Sequence, residues 1–170
     1  MQSHYPKDNN AILEINLKAL LKNYKLIKKN LKSTTECAAT IKADAYGIGA
    51  TKVAKSLIAH GCKTFFAAHL SESVELRKIS KKIRIFCYHG IDEKNYREFI
   101  KFNIIPIANS IDQINLINKL NKKKKFNRGI AVHFDTGMSR LGLDENETSE
   151  FISNKIKYNS LKIDLVMSHL

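Results

Sequence analysis

The residues whose types and spacing could do chemistry lie in two short stretches. In Thr40-Ile41-Lys42-Ala43-Asp44-Ala45-Tyr46-Gly47-Ile48-Gly49 a lysine ends an apolar run and is followed by a tyrosine and a glycine-flanked turn. In Asp135-Thr136-Gly137-Met138-Ser139-Arg140-Leu141-Gly142-Leu143 an acid and an arginine stand on either side of a second turn. Partial desolvation at a strand end lowers a lysine pKa, and the neutral amine can attack a carbonyl carbon to give a Schiff base. Strand alternation puts Ala38, Thr40 and Lys42 on one face, where the small side chains before Lys42 leave room for a ligand. The plain alternative for a lone strand-end lysine is an amine snorkelling to water. His169 ends another apolar run on the face of Ile163, Leu165 and Met167, where it is a ligand contact or a satisfied core imidazole.

Positioning these groups requires the elements around them. Apolar periodicity alternates short strands with amphipathic helices. Ala11 to Ile15 is expected as a short opening strand and Leu17 to Leu31 as a helix, followed by a strand over Cys37 to Lys42 and a helix over Ala50 to His60. The pattern continues with strand Thr64 to Ala68, helix Ser71 to Ile79, strand Ile83 to Tyr88, helix Lys94 to Phe102, strand Ile104 to Ala108 and helix Ser110 to Asn121. Strand Ile130 to Asp135, helix Asn146 to Asn154 and strand Ile163 to His169 complete it. Setting the first strand aside, six βα-type strands follow in succession. Such alternation calls for a parallel sheet under helices, open or closed. Lys42, Asp135, Arg140 and His169 sit at or just past the carboxyl ends of three strands, where closed barrels keep their chemistry. No Gly-x-Gly-x-x-Gly opens the first helix, which disfavours the dinucleotide-binding open sheet. The expected fold is therefore α/β, a (β/α)8 TIM-type barrel represented by about six of its eight units and preceded by a short strand.

Composition bounds the partners. The 170 residues are 44% hydrophobic and 26% charged, enough for a real core in one domain. No apolar run approaches the roughly 20 residues that cross a bilayer, and Met1–Asn10 lacks the apolar centre of a signal peptide. A cytoplasmic protein without a membrane partner is expected. Cys37, Cys62 and Cys87 are odd in number and widely spaced, which favours buried thiols over a disulfide framework or a zinc knuckle. No metal site is expected. The formal charge of +13 raises a nucleic-acid partner as an alternative. The lysines are scattered, however, and the dense run Lys122-Lys123-Lys124-Lys125 has no interleaved aromatics for bases to stack on, so a solvated surface is preferred.

The two chemistry-bearing stretches resemble the two signatures of the alanine racemases. Ile41-Lys42-Ala43-Asp44-Ala45-Tyr46-Gly47 is similar to the family's cofactor-lysine motif, and Asp135 to Gly142 to its second motif. Ala11 to Leu20 resembles the family's opening strand and helix, and Ser71 to Arg77 the segment after its second strand. The resemblance implies a pyridoxal 5'-phosphate barrel and amino-acid racemisation, the interconversion of L- and D-alanine that supplies D-alanine for cell-wall peptidoglycan. Residues 1–170 would form the amino-terminal portion of the barrel domain, without the β-rich second domain. Lys42 would attach the cofactor and act as one acid/base group, Tyr46 would reach its phosphate, His169 would lie against it, and Arg140 would hold the substrate carboxylate from beside the ring. Tyr46 as a packed aromatic and Arg140 as a surface ion-pair former remain alternatives.

The family's second acid/base group is a tyrosine from a partner subunit, so a homodimer, or a second chain completing the barrel, is implied, and this portion alone is expected to be inactive. A non-catalytic, cofactor-binding remnant is the alternative. Two departures from the motifs stand out: Ile48 replaces a usual histidine, and His133 occupies a position often held by a carbamylated lysine. A charged imidazole there would repel Arg140, so His133 is expected to be neutral.

Overall fold

The chain is described from a computed structural model that covers residues 11–169. Met1–Asn10, the segment lacking a signal-peptide centre, and Leu170 lie outside the described residues. The elements run α1 (Leu17–Asn30), β1 (Ala39–Thr40), α2 (Lys42–Tyr46), α3 (Ala50–Ala59), β2 (Thr64–Ala67), α4 (Leu70–Ile79), β3 (Arg84–Cys87), α5 (Tyr96–Lys101), β4 (Ile105–Ala108), α6 (Ile111–Lys122), β5 (Ile130–Phe134), α7 (Glu145–Ser153) and β6 (Ile163–Ser168).

Polar side chains start the helices where the sequence supplies them. Asn16 accepts the Ala19 N–H at 3.0 Å to open α1, Ser110 accepts from Gln113 at α6, and Asp144 accepts from Glu147 at α7. Each satisfies a donor that the first helical turn leaves unpaired.

The strands pair in sequence order, every neighbour parallel. Register places Phe66 beside Phe86, Ile107 beside Ala131 and Val132 beside Val166. Strands that add in order, each after a crossover helix, build a barrel wall. Among the described residues β1 and β6 pair on one side only.

Alternation along the strands divides the apolar side chains into two layers. Phe65, Ile85, Cys87, Ile130 and Val132 turn outward onto Val53, Leu57, Leu76, Phe99, Ile114 and Ile117 of the helices. Phe66, Phe86, Tyr88, Ile107, Ala131, Leu165 and Met167 form a smaller inner cluster, with the Phe66 and Phe86 rings stacked at 4.9 Å between centroids. At one α/β junction the Arg77 guanidinium donates to the carbonyls of Phe102 (2.9 Å), Ser80 (3.2 Å), Ile83 (2.9 Å) and Asn103 (2.7 Å). One side chain thereby ties α4 to the segments that start β3 and β4. Cys62 and Cys87 are buried, Cys37 is half-buried, and all three are free thiols.

Two expectations need correction. The opening strand over Ala11 to Ile15 is absent: residues 11–16 have no regular structure, with Ile12 55% and Leu13 70% exposed. Period-two patterning makes a strand only where a neighbour takes the backbone hydrogen bonds, and no described strand does so here. The strand expected over Cys37 to Lys42 shortens to Ala39–Thr40: Cys37 and Ala38 take no regular structure, and at the far end the backbone reverses its hand immediately after Lys42.

Candidate functional site

Lys42 opens a segment of unusual backbone. Ile41, buried at 3% exposure, donates to Phe66 O at 2.9 Å and ends the pairing of β1 with β2. Ala43, Asp44, Ala45 and Tyr46 then take φ of 50°, 52°, 54° and 59°, and Gly47 follows at 86°. This is a left-handed helical turn, a conformation that costs about 1–2 kcal/mol for each residue carrying a Cβ.

Hydrogen bonds hold it. Ala45 N donates to Ile41 O (3.1 Å), Gly47 N to Ala43 O (2.9 Å) and Gly49 N to Asp44 O (2.9 Å). The Asp44 carboxylate accepts the Ala50 N–H at 2.7 Å and ties the turn to α3. Glu72, near the start of α4, accepts the Ala43 N–H at 2.7 Å. Strain of this kind persists where the surroundings over-determine it and concentrates at functional sites.

The turn faces a cavity of about 410 Å³ at the carboxyl ends of the strands, a volume suited to a small ligand. Lys42, Tyr46, Arg140 and His169 all line it, with Thr40, Tyr88, His89, His133 and the apolar Met138, Leu141 and Met167. The Lys42 amine lies 5.8 Å from the Tyr88 ring centre and 6.0 Å from that of Tyr46. The Tyr88 hydroxyl pairs with Thr40 Oγ1 at 3.2 Å. Burial pushes the Tyr88 phenol above its ordinary pKa, opposed by the Thr40 hydrogen bond and the Arg140 charge.

His133 is only 4% exposed. Its Nδ1 lies 2.9 Å from Asn109 Oδ1, and its buried Nε2 has no partner among the described residues. Burial, then the charges of His169 and Arg140, pull its pKa below the ordinary value against the opposing effect of Asp135. The imidazole is held toward the neutral form, as the sequence led us to expect.

Arg140 rides an exposed loop whose two ends are fastened to β5. Leu143 N donates to His133 O (2.8 Å) and Asp135 N to Leu143 O (2.9 Å). Asp135 Oδ1 accepts the Gly137 and Ser139 N–H groups, each at 3.0 Å, and those bonds hold its carboxyl below the usual carboxylate range. Gly142, at φ 109°, lets the loop return across the strand: a Cβ there would stand 2.7 Å from Asp135 N.

The four side chains singled out from the sequence thus meet at one cavity. Tyr46 is 65% exposed and is not a packed core aromatic. Arg140 makes no ion pair among the described residues, and His169 is exposed at the strand end, not a core imidazole. Thr40 lines the cavity beside Lys42, as strand alternation led us to expect, whereas Tyr88 and His89 were not singled out from the sequence. Polar residues at the carboxyl end of an apolar strand were the signal for Tyr88 and His89, and for Asn109 after β4; the contact of Asn109 with His133 of β5 carried no local signal. Lys122–Lys125 are exposed and none lines the cavity.

Comparison with known proteins agrees with this geometry. The family described as "Alanine racemase, N-terminal domain" matches residues 15–170. Alanine racemase of Rickettsia canadensis is 36% identical over 159 residues, 93% of this chain and 44% of that protein; the Rickettsia typhi protein is 35% identical over 93% and 39%. Among solved structures, alanine racemase from Bartonella henselae, with covalently bound pyridoxal phosphate, superposes with a TM-score of 0.85 at 34% identity, covering 92% of this chain and 44% of that one. Alanine racemase of Clostridium difficile gives 0.76 at 27% identity, over 91% and 42%. The chain spans less than half the length of these relatives.

Proposed function

We propose that this chain, which belongs to the alanine racemase N-terminal domain family, is the lysine-bearing part of a pyridoxal 5'-phosphate-dependent enzyme that interconverts L- and D-alanine. One observation carries the reading: the Lys42 amine opens onto the same cavity as the Tyr46 phenol of its own turn and, from two other places in the chain, the Arg140 guanidinium and the His169 imidazole.

The donor set suits this cofactor. The cavity combines one amine able to bond an aldehyde carbon, hydroxyl and guanidinium donors for anionic groups, apolar walls for a ring, and a neutral nitrogen acceptor in His133. When bound, pyridoxal phosphate supplies an electron sink that acidifies the amino acid's α-proton.

The chain's own residues do the rest. Lys42 fixes the cofactor and moves a proton at its Nζ on one face of the substrate. Tyr46 would donate its hydroxyl to the phosphate, His169 would lie against the ring, and Arg140 would offer a planar fork of donors to the substrate carboxylate. Met138, Leu141 and Met167 offer apolar surface to the ring.

Inversion also needs an acid/base group on the opposite face, which Lys42 cannot reach. In this reading that group comes from outside the 170 residues, through the rest of a longer chain, a homodimer partner or a second polypeptide, and the 170 residues alone bind cofactor without racemising. The product, D-alanine, would serve peptidoglycan synthesis in the cytoplasm.

The test is to add pyridoxal phosphate to the soluble protein and follow the visible absorbance of the lysine-bound cofactor, then fix it with borohydride and map the labelled lysine. Label at Lys42, lost in Lys42→Ala, is expected. Absence of the band, or label spread evenly over surface lysines, would overturn the reading.

A further inference from the structure

Glu72 is the only side chain among the described residues that hydrogen-bonds the Ala43 N–H. Its other oxygen, Oε2, accepts the N–H groups of Ala68 (2.8 Å) and His69 (3.0 Å), where β2 ends and α4 begins. The bond to His69 is half of a capping box, an ordinary device at a helix start. The bond to Ala43 is not part of that device, since it reaches 29 residues back in sequence to the first left-handed residue after Lys42.

We infer that Glu72 is a positioning residue for Lys42: its carboxylate locks the left-handed turn to the β2–α4 junction and so sets the direction in which the amine leaves the chain. The inference rests on the proposed cofactor role of Lys42. Three backbone donors approach two oxygens from two sides, and each oxygen must act as an acceptor. An ionised carboxylate meets that condition and an amide cannot, because its NH2 group would face at least one N–H. An aspartate is one methylene shorter and cannot span the same two elements.

The protonation state agrees with the geometry. Burial alone would raise the Glu72 pKa, but the N–H groups of His69, Ala43 and Ala68 outweigh it and leave the carboxyl below its ordinary value. The titratable groups facing it are His69 at the start of α4, Cys87 from β3, and Asp44 and Glu75, which share a shallow recess with it. Neither acid bonds to it, and Glu75 pairs with Lys78.

Lys42 lies one residue before the bonded amide. Releasing Ala43 lets a strained turn relax toward commoner backbone angles, and the side chain of the preceding residue swings with it. The lysine is then still present but no longer aimed.

The experiment compares wild type with Glu72→Gln, Glu72→Asp and the control Glu75→Gln. Each protein is treated with pyridoxal phosphate and borohydride, and the rate of label at Lys42 is measured against pH and against label at surface lysines. Glu72→Gln is expected to lose about tenfold or more of the Lys42 rate, the scale of one hydrogen bond to a charged group. Its circular dichroism should match wild type, and Glu75→Gln should label normally. Unchanged Lys42 rate and pH profile in Glu72→Gln would overturn the inference.

Should Glu72→Gln fail to fold, the wild-type amides decide. The Ala43, Ala68 and His69 N–H resonances must shift together through one titration below pH 4.5, the ordinary glutamate value; an Ala43 resonance that does not follow the other two sinks the idea. That measurement uses no cofactor. Wild type that fails to label Lys42 while the three amides titrate together therefore rejects the cofactor reading and leaves the carboxylate lock standing.

Discussion

His133 Nδ1 meets Asn109 Oδ1 at 2.9 Å, and the asparagine decides which atom carries the proton. Its NH2 group already donates to Tyr88 O (2.5 Å) and Ile107 O (3.1 Å), so Oδ1 is left to accept. The ring must carry its proton on Nδ1, and Nε2 is then an acceptor. Nitrogen NMR is expected to show this tautomer. The folded pKa lies below the ordinary value of 6.5, so the unfolded chain binds the proton more readily. Stability is full above 6.5 and declines as pH falls toward the folded pKa. Urea melts between about pH 8 and 5 should show a smaller acid-side loss in His133→Gln than in wild type. An equal loss in both proteins contradicts this.

Two glycines separate conformational from steric cost. A Cβ at Gly47 (φ 86°) meets nothing within 4 Å, whereas one at Gly142 (φ 109°) meets backbone at 2.7 and 2.9 Å. Gly47→Ala should cost about 1 kcal/mol, the left-handed penalty alone. Gly142→Ala should cost more, on the order of 2–3 kcal/mol, because the Arg140 loop must shift off β5. Chemical denaturation ranks the two, and equal losses would argue against the loop's close return.

Arg77→Met should be among the most damaging single changes away from the cavity. It leaves the carbonyls of Phe102, Ser80, Ile83 and Asn103 without their shared donor, at a cost of about 3 kcal/mol or more by the usual penalty for stranded polar groups. Lysine, a point charge, restores only part of this. A drop under 1 kcal/mol for Arg77→Met would show that water replaces the guanidinium.

Tyr46→Phe tests the hydroxyl at the cavity mouth. Because Tyr46 is largely exposed, the fold should be unaffected, while pyridoxal phosphate should bind about tenfold more weakly, the scale of one hydrogen bond to a charged group. Lys42 should still be the residue labelled. Equal affinity in an absorbance titration would remove Tyr46 from the phosphate contacts.

The alternation of strands and helices was legible because β2 to β5 are largely buried between two layers and α3, α4 and α6 turn apolar stripes to the sheet. Lys42, Arg140 and His169 stood out because they lie at or just past strand ends that converge at one mouth, and Tyr46 was added by the resemblance of the Lys42 segment. Residues 11–16 misled because Ile12, Leu13 and Ile15 have the composition of a strand but no described partner. The left-handed turn was not legible at all: Ala43 and Ala45 are strong right-handed helix formers, and their conformation is imposed by Glu72, Asp44 and Gly47. The pairing of Asn109 with His133 spans 24 residues and follows from neighbouring strands, not from local pattern.

The reversed hand of residues 43–46 also limits which substitutions the chain can accept there. Valine, isoleucine and threonine clash with their own backbone at such angles, while glycine, asparagine and aspartate do not. A randomised library over Ala43, Asp44 and Ala45, selected only for soluble expression, would therefore lose its β-branched members before any chemistry was screened. Sequence tolerance at these positions would report backbone geometry, and the filter would act with equal force on an active catalyst and on a dead one.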